Sequence, residues 1–194
     1  MTNSGELAYE PVVGFQSEKA AQIAAFFVSA AGGQIDKLKL AKLQYLAERD
    51  FMGRYNRPMT YDELYSLPHG PICSSALNGV DGKLNNRPEW ARVASHGRQD
   101  IHGDRNVGRD ALDLLSDAEF DVLQTVWGRF GSMTASELRA YTHDPRNCPE
   151  YTEVKGRRLP ITYRDVFVAV GAAEPDHLAA RVEEFRRLEL AFKG

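Results

Sequence analysis

The chain has 194 residues, of which 43% are hydrophobic and 26% charged, and its formal net charge is -3. This balance excludes a disordered or fibrous chain and a protein that binds nucleic acid through a global basic field. Cys73 and Cys148 form no CxxC pair and no disulfide framework, which favours a reducing compartment. Residues 1–15 lack the pattern of a secretory signal, and the apolar stretch 20–31 is too short to cross a bilayer. We therefore expect a cytoplasmic protein.

The N-terminal residues 1–15 mix glycine, proline and acidic positions with apolar residues such as Tyr9 and Phe15. This mixture predicts an extended arm that docks through these apolar residues, and a partly ordered terminus explains it as well. No repeat, low-complexity run or linker divides residues 16–194, so we predict one domain there. Its first helix is predicted from Ser17, the expected N-cap, to about Ala31, because apolar and polar residues fall on opposite faces.

The second predicted helix, over residues 36–54, has two apolar stripes on nearly opposite sides. Leu43 lies in one stripe and Tyr45 in the other. A helix with two apolar sides must be covered on both, so this one is predicted to lie at the centre of the fold. Narrow polar strips remain between the stripes, and one of them carries Lys42 and Arg49.

The middle of the chain is predicted to be less regular. Thr60 and Glu63 have the spacing of a capping box, which predicts a short helix, and Pro71 is predicted to open the next helix, ending near Gly79 or Gly82. Residues 83–109 contain six basic and three acidic residues, a local charge of +3, and are the least helical segment. The sequence around His96-Gly97 is compatible with a short hairpin.

Helical signals return after this segment. Capping-box spacings predict three helix starts, at Ser116 with Glu119, Thr134 with Glu137 and Thr162 with Asp165. A last helix follows Pro175, with a predicted buried face of Leu178, Val182, Phe185, Leu188 and Phe192. The predicted fold class is therefore mainly α: a single-domain helical bundle around the central helix at 36–54, with a small irregular or β-hairpin segment near 90–103.

The five histidines have no metal-binding helical spacing, and the chain has no nucleophile elbow, Walker loop or dinucleotide-binding motif. His96 and His102, with Asp100 and Asp104, could supply metal ligands from a loop, although a solvated polar loop explains them as well. Cys73 fits a small buried residue better than a reactive thiol. We therefore predict no catalytic residue, no metal and no cofactor.

The segment Lys39-Leu40-Ala41-Lys42-Leu43-Gln44-Tyr45-Leu46-Ala47 resembles the helix signature of the Panacea domain family, which includes SocA-like antitoxins and phage-associated GepA-like proteins. Later family elements follow in the same order: a short helix with Asp62-Glu63-Leu64, then Gly70-Pro71-Ile72, Leu115-Ser116 and Thr142-His143. The similarity therefore covers roughly residues 17–150. The chain departs from the family pattern at two positions. Gln44 stands where the family usually has an apolar residue, and His69 stands where it often has an aromatic residue. Residues after about 155 match no part of the pattern.

This resemblance implies a protein that is not an enzyme: an antitoxin of a toxin–antitoxin system, which binds and neutralises a cognate toxin. For SocA-like members it also implies delivery of the toxin to a protease. The family-motif positions are the candidate binding residues: Lys42, Tyr45, His69, Gly70, Pro71 and His143. Structural explanations compete with this interpretation: Tyr45 fits a core position, His69-Gly70-Pro71 a turn and helix start, and His143 a helix C-terminal cation.

Two other functions are compatible with parts of the sequence. A DNA-binding transcriptional regulator would use the +3 segment and the short helix after Thr134, although that helix offers few base-reading side chains. A metal-dependent enzyme would use the loop with His96 and His102. No membrane association is predicted.

Overall fold

The computed structural model describes residues 9–84, 87–96 and 99–193. Within these ranges it has seven α-helices and six short strands, which confirms the prediction of a mainly α fold. In chain order the elements are α1 Ser17–Ala30, β1 Gln34–Asp36, α2 Lys37–Tyr55, β2 Leu64–Leu67, β3 Gly70–Cys73, α3 Ser74–Val80, β4 Val93–His96, β5 Asp100–Gly103, α4 Asp117–Phe130, α5 Ala135–His143, β6 Leu159–Ile161, α6 Tyr163–Ala169 and α7 Pro175–Lys193.

The helix α2 lies at the centre of the fold, as its two apolar stripes predict. It contacts α1, α4, α5, α6, β1 and β3, and 11 of its 19 residues are buried. Leu43 and Tyr45, from opposite stripes, are both fully buried. The Asp36 side chain caps the helix by accepting a hydrogen bond from the Lys39 amide, and Asn56 ends it in the left-handed conformation.

Two small antiparallel sheets flank the helices. The first has the strand order β1-β5-β4 and contains the hairpin predicted near 90–103, whose turn residues 97–98 lie outside the described residues. The second has the order β3-β2-β6. The hairpin of β2 and β3 pairs Leu67 with Gly70 across the two-residue loop Pro68-His69. This hairpin brings the Gly70-Pro71 motif to the side of α2.

The predicted helix at Thr60 is wrong, because this segment leads into a strand. The hydroxyl of Thr60 donates to the buried carboxylate of Glu48 on α2 instead of capping a helix. Pro71 lies in β3 and not at a helix start, and α3 begins at Ser74. The carboxylate of Asp62 accepts from the amides of Ser75 and Ala76, so the start of α3 is capped by a residue distant in sequence. The helix ends at Val80, close to the predicted end.

Of the other capping predictions, the three after residue 115 are confirmed and the one at Ser17 is wrong. All three downstream boxes, at Ser116, Thr134 and Thr162, form with both reciprocal hydrogen bonds. Ser17 is not an N-cap, since Gln16 holds that position. The Ser17 hydroxyl is buried, donates to Glu89 and accepts from the indole N–H of Trp90, so tertiary contacts have taken over its capping group.

The two ends of the chain differ from each other in burial. Within the described part of the arm, Phe15 is buried and the Tyr9 amide donates to the Lys83 carbonyl. The division into an arm at 1–15 and a domain at 16–194 stays a prediction.

On α7 the predicted buried face is wrong at its C-terminal end, because Leu188 is 53% exposed and Phe192 is 85% exposed. No helix in the described ranges has the length and apolar character needed to cross a membrane.

Candidate functional site

A buried lysine on α2 is the centre of the family-motif residues. The side chain of Lys42 is fully buried, and its Nζ atom donates to the carbonyl oxygen of Pro71 at 2.7 Å. Burial lowers the pKa of Lys42 to about 7, since the desolvated ammonium is disfavoured. The idea of a solvent-facing polar strip at Lys42 is therefore wrong, although a role in partner binding stays a prediction.

The tip of the β2–β3 hairpin fits over this lysine because residue 70 is glycine. A Cβ atom on Gly70 would lie 2.7 Å from Nζ of Lys42 and 3.0 Å from the hydroxyl of Thr142. Gly70 also has φ +101°, a conformation that residues with a side chain rarely adopt. The Gly-Pro motif thus lets a backbone turn approach α2 and α5 closely, and Pro71 supplies the carbonyl that the lysine needs.

The Thr142-His143 motif completes this cluster from the end of α5. Thr142 is fully buried and its hydroxyl donates to the Leu138 carbonyl at 3.0 Å. The ring centroid of His143 lies 4.5 Å from that of Tyr151. Burial lowers the pKa of His143, and the nearby charges of Arg139 and Lys42 lower it further. The expectation of a C-terminal helix cation is thus disfavoured near neutral pH.

Tyr45 lies one turn from Lys42 but contacts a different group. Its hydroxyl donates to Glu150 at 2.7 Å, and the Arg49 guanidinium donates to the same carboxylate oxygen at 2.6 Å. Burial raises the pKa of Tyr45 well above its usual value. Glu150 is not part of any motif in the sequence, and no local signal marks it as the partner of α2.

The structure therefore brings five of the six candidate residues together and leaves Tyr45 at their side. We call these five the lysine cluster: Lys42, His69, Gly70, Pro71 and His143. The buried residues of this set hold the hairpin, α5 and α2 against each other. His69 is exposed and His143 half-buried, so these two are the motif positions that a partner can reach.

Two further buried carboxylates, Glu48 and Asp62, were not among the candidate binding residues. Glu48 accepts from the amides of Met59 and Thr60, and burial raises its pKa to about 7. Asp62, the remote cap of α3, is also fully buried, and desolvation raises its pKa to about 6. Both acids are held by the protein's own backbone amides and so stabilise loops.

The histidine loop proposed for a metal lies in the hairpin of β4 and β5. Among the described residues, no three His, Cys, Asp or Glu side chains gather in a way that could hold a metal ion. The His96 side chain lies outside the described residues. His102 is a strand residue whose Cα pairs with those of Gln34 and Ala94.

The central helix, the Gly-Pro hairpin and the end of α5 all lie within one family match. The family model described as antitoxin SocA-like, Panacea domain, matches residues 40–148, more than half of the 194-residue chain. The chain belongs to this family. Neither the curated proteins nor the solved structures gave a match.

Proposed function

We propose that this chain is the antitoxin of a toxin–antitoxin system and that it neutralises its cognate toxin by direct binding. The observation that carries the proposal is the match of an antitoxin family over residues 40–148. That range runs from the central helix to Cys148 and contains the whole lysine cluster. The proposal therefore rests on the part of the chain that includes most of the central helix α2 and the residues packed around Lys42.

The surroundings of the three buried groups with shifted pKa values, Lys42, Glu48 and Asp62, support action by binding rather than catalysis. Lys42 donates to a backbone carbonyl, and Glu48 and Asp62 each accept from backbone amides. Catalytic acids and bases need access to a reacting atom. These three side chains are buried within the fold, which favours a structural role for each. In this proposal the protein inhibits the toxin by occupying a surface that the toxin needs.

The decisive experiment is titrated co-expression with the toxic neighbouring gene. Wild-type protein is expected to restore growth when it is at least stoichiometric with the toxin, and the two should co-purify. Rescue should fail once toxin is in excess, because a binder does not turn over. Failure to rescue at any ratio, or rescue far below stoichiometry without toxin degradation, contradicts the proposal.

The half-exposed end of the lysine cluster is the part of the motif to test for contact. His69→Ala removes an exposed side chain at the hairpin tip, and His177→Ala removes an exposed histidine on α7 as a matched control. If the hairpin tip contacts the toxin, His69→Ala weakens co-purification and His177→Ala does not, with both variants folded. Equal binding by both variants excludes His69 as a contact.

The SocA-like assignment extends the proposal to delivery of the bound toxin to a protease. The test is the half-life of the toxin in cells with and without this protein. A shorter half-life in its presence supports the adaptor role. An unchanged half-life together with rescued growth restricts the function to neutralisation by occupancy.

A further inference from the structure

A surface groove of about 1050 Å³ lies along α1. Its walls are α1, the short 3-10 helix Pro88–Arg92 and the segment 104–114. The positions of α1 that line it, 18, 21, 22 and 25, share one face of the helix because they follow the helical period. The groove is thus as long as about two helical turns.

The floor of the groove is apolar. Ala21 and Ala25 lie one turn apart on α1, and their short side chains are nearly buried at the base of the groove. Pro88, Val107 and Leu114 add apolar surface at the sides, and Leu114 is 42% exposed. An exposed leucine at the edge of an alanine-lined groove is suited to contact with apolar side chains of a partner.

The rim of the groove is strongly acidic. Five carboxylates and one guanidinium line it, a net charge of -4, whereas the whole chain carries -3. The acids are Glu18, Glu89, Asp104, Asp110 and Asp113, and Arg92 is the cation. Within the described ranges none of the five forms an ion pair, and the side-chain donors to Glu89 and Asp113 are the neutral groups of Ser17 and Gln22. The residues that line the groove therefore concentrate negative charge at one place.

Hydrogen bonds to α1 hold the outer wall in place. Gln22 donates to Asp113 at 2.7 Å and accepts from the Leu114 amide at 3.0 Å. The Ser29 hydroxyl donates to the Arg105 carbonyl and accepts from the Val107 amide, both at 3.0 Å. A wall that is anchored at both ends loses little conformational entropy when a partner binds.

We propose that this groove docks a basic amphipathic segment of the protein partner, in which a few apolar side chains lie on the alanine floor and Lys or Arg side chains contact the acidic rim. The proposal rests on the proposed function, since the partner would then be the toxin. Charge complementarity determines the choice of occupant, because an acidic or nucleic-acid ligand would meet like charge along this rim.

The direct test uses the full chain and a labelled peptide in which lysines and leucines alternate with helical spacing. A peptide with glutamates in place of the lysines is the charge-reversed control. The lysine peptide is expected to bind more weakly as salt is raised, and the glutamate peptide is expected not to bind. Absence of lysine-peptide binding, or equal binding of both peptides, overturns the proposal.

Isosteric neutralisation identifies the groove as the binding site. The variant Glu18→Gln/Asp110→Asn/Asp113→Asn removes three rim charges and keeps an oxygen at position 113 to accept from Gln22. The control Glu153→Gln/Glu174→Gln/Glu184→Gln removes three exposed carboxylates that do not line the groove. We expect the groove variant to lose roughly tenfold in peptide affinity and the control to lose little. Equal losses in the two variants would place the peptide elsewhere and refute the proposal.

Growth rescue separates this inference from the proposed function. If wild-type protein and control rescue growth and the groove variant does not, the groove is the toxin contact. If all three rescue equally, the groove proposal is wrong and the antitoxin proposal stands. If the wild type itself fails to rescue, the antitoxin proposal is wrong, and peptide binding still decides whether the groove takes a basic segment.

Discussion

The Nζ atom of Lys42 occupies space that a side chain at Gly70 would need, since a Cβ atom there would lie only 2.7 Å from it. The two residues belong to separate motifs, one on α2 and one at the start of β3. Their contact explains why a charged side chain can be fully buried in the central helix: the hairpin approaches closely enough for the Pro71 carbonyl to accept its hydrogen bond.

We expect Gly70→Ala to lower the free energy of unfolding by about 2–4 kcal/mol, the sum of a left-handed backbone penalty and overpacking. Gly82→Ala is the matched control, because Gly82 also has positive φ but, among the described residues, no atom beyond its own chain neighbours lies within 4 Å of the added Cβ. The control should lose only about 1–2 kcal/mol. Urea denaturation of both variants measures the difference. Equal losses would contradict the close approach of the hairpin to Lys42.

The buried ammonium should make stability depend on pH. The pKa of Lys42 is about 7 in the folded protein, whereas an unperturbed lysine has a pKa of 10.5, so the unfolded chain binds more protons between these values. The contribution of Lys42 to stability therefore rises with pH across this window, by at most about 1.4 kcal/mol per pH unit. Below about pH 7 the folded protein bears the full cost of the buried charge.

The variant Lys42→Met isolates this effect. The difference in unfolding free energy between wild type and Lys42→Met should increase with pH from about 7 to 10.5, in favour of the wild type. Groups such as Glu48 titrate in both proteins and largely cancel in the difference. Urea titrations at several pH values measure the slope, and a difference that does not change with pH would refute the lowered pKa.

Leu43→Ala should cost about 2–5 kcal/mol of unfolding free energy, because its side chain is fully buried and leaves a cavity in the centre of the fold. Leu188→Ala, at a 53% exposed position of α7, should change stability by less than about 0.5 kcal/mol. Thermal or urea unfolding compares the two. A large loss at Leu188 would show that the end of α7 packs in solution against another surface.

Arg49→Met should cost about 3 kcal/mol, near the lower end for breaking a buried ion pair, because it leaves the fully buried Glu150 without its cation. Arg54→Met is the control on the same helix, where Arg54 pairs with Asp50 in a more exposed position, and it should cost less than about 1 kcal/mol. The double variant Arg49→Met/Glu150→Gln should recover part of the loss. No recovery would contradict the view that the unpaired carboxylate of Glu150 causes the loss.

The sequence alone determined those elements whose signals are local. The helices after Ser116, Thr134 and Thr162 form with their capping boxes, since both partners of each box lie three residues apart and need no third element. The central position of α2 was also predictable, because two apolar stripes must both be covered.

Only the tertiary structure decided the outcome where a residue distant in sequence takes a hydrogen-bonding group that a local motif would use. Thr60 and Glu63 have the spacing of a capping box, yet Glu48 from α2 takes the Thr60 hydroxyl and the segment becomes a strand. Lys42 fits a polar strip by helical spacing, but in the folded protein it is fully buried, and the hairpin at Gly70 approaches it closely.

The distribution of charge on the surface was likewise decided by the tertiary structure. Residues 83–109 carry +3 when counted along the chain, but Glu89 and Asp104 of this segment meet acids from α1 and from residues 110–113 at the groove. The resulting -4 rim could not be read from linear order, because a potential depends on distances in space and the contributing residues lie up to 95 positions apart, from Glu18 to Asp113.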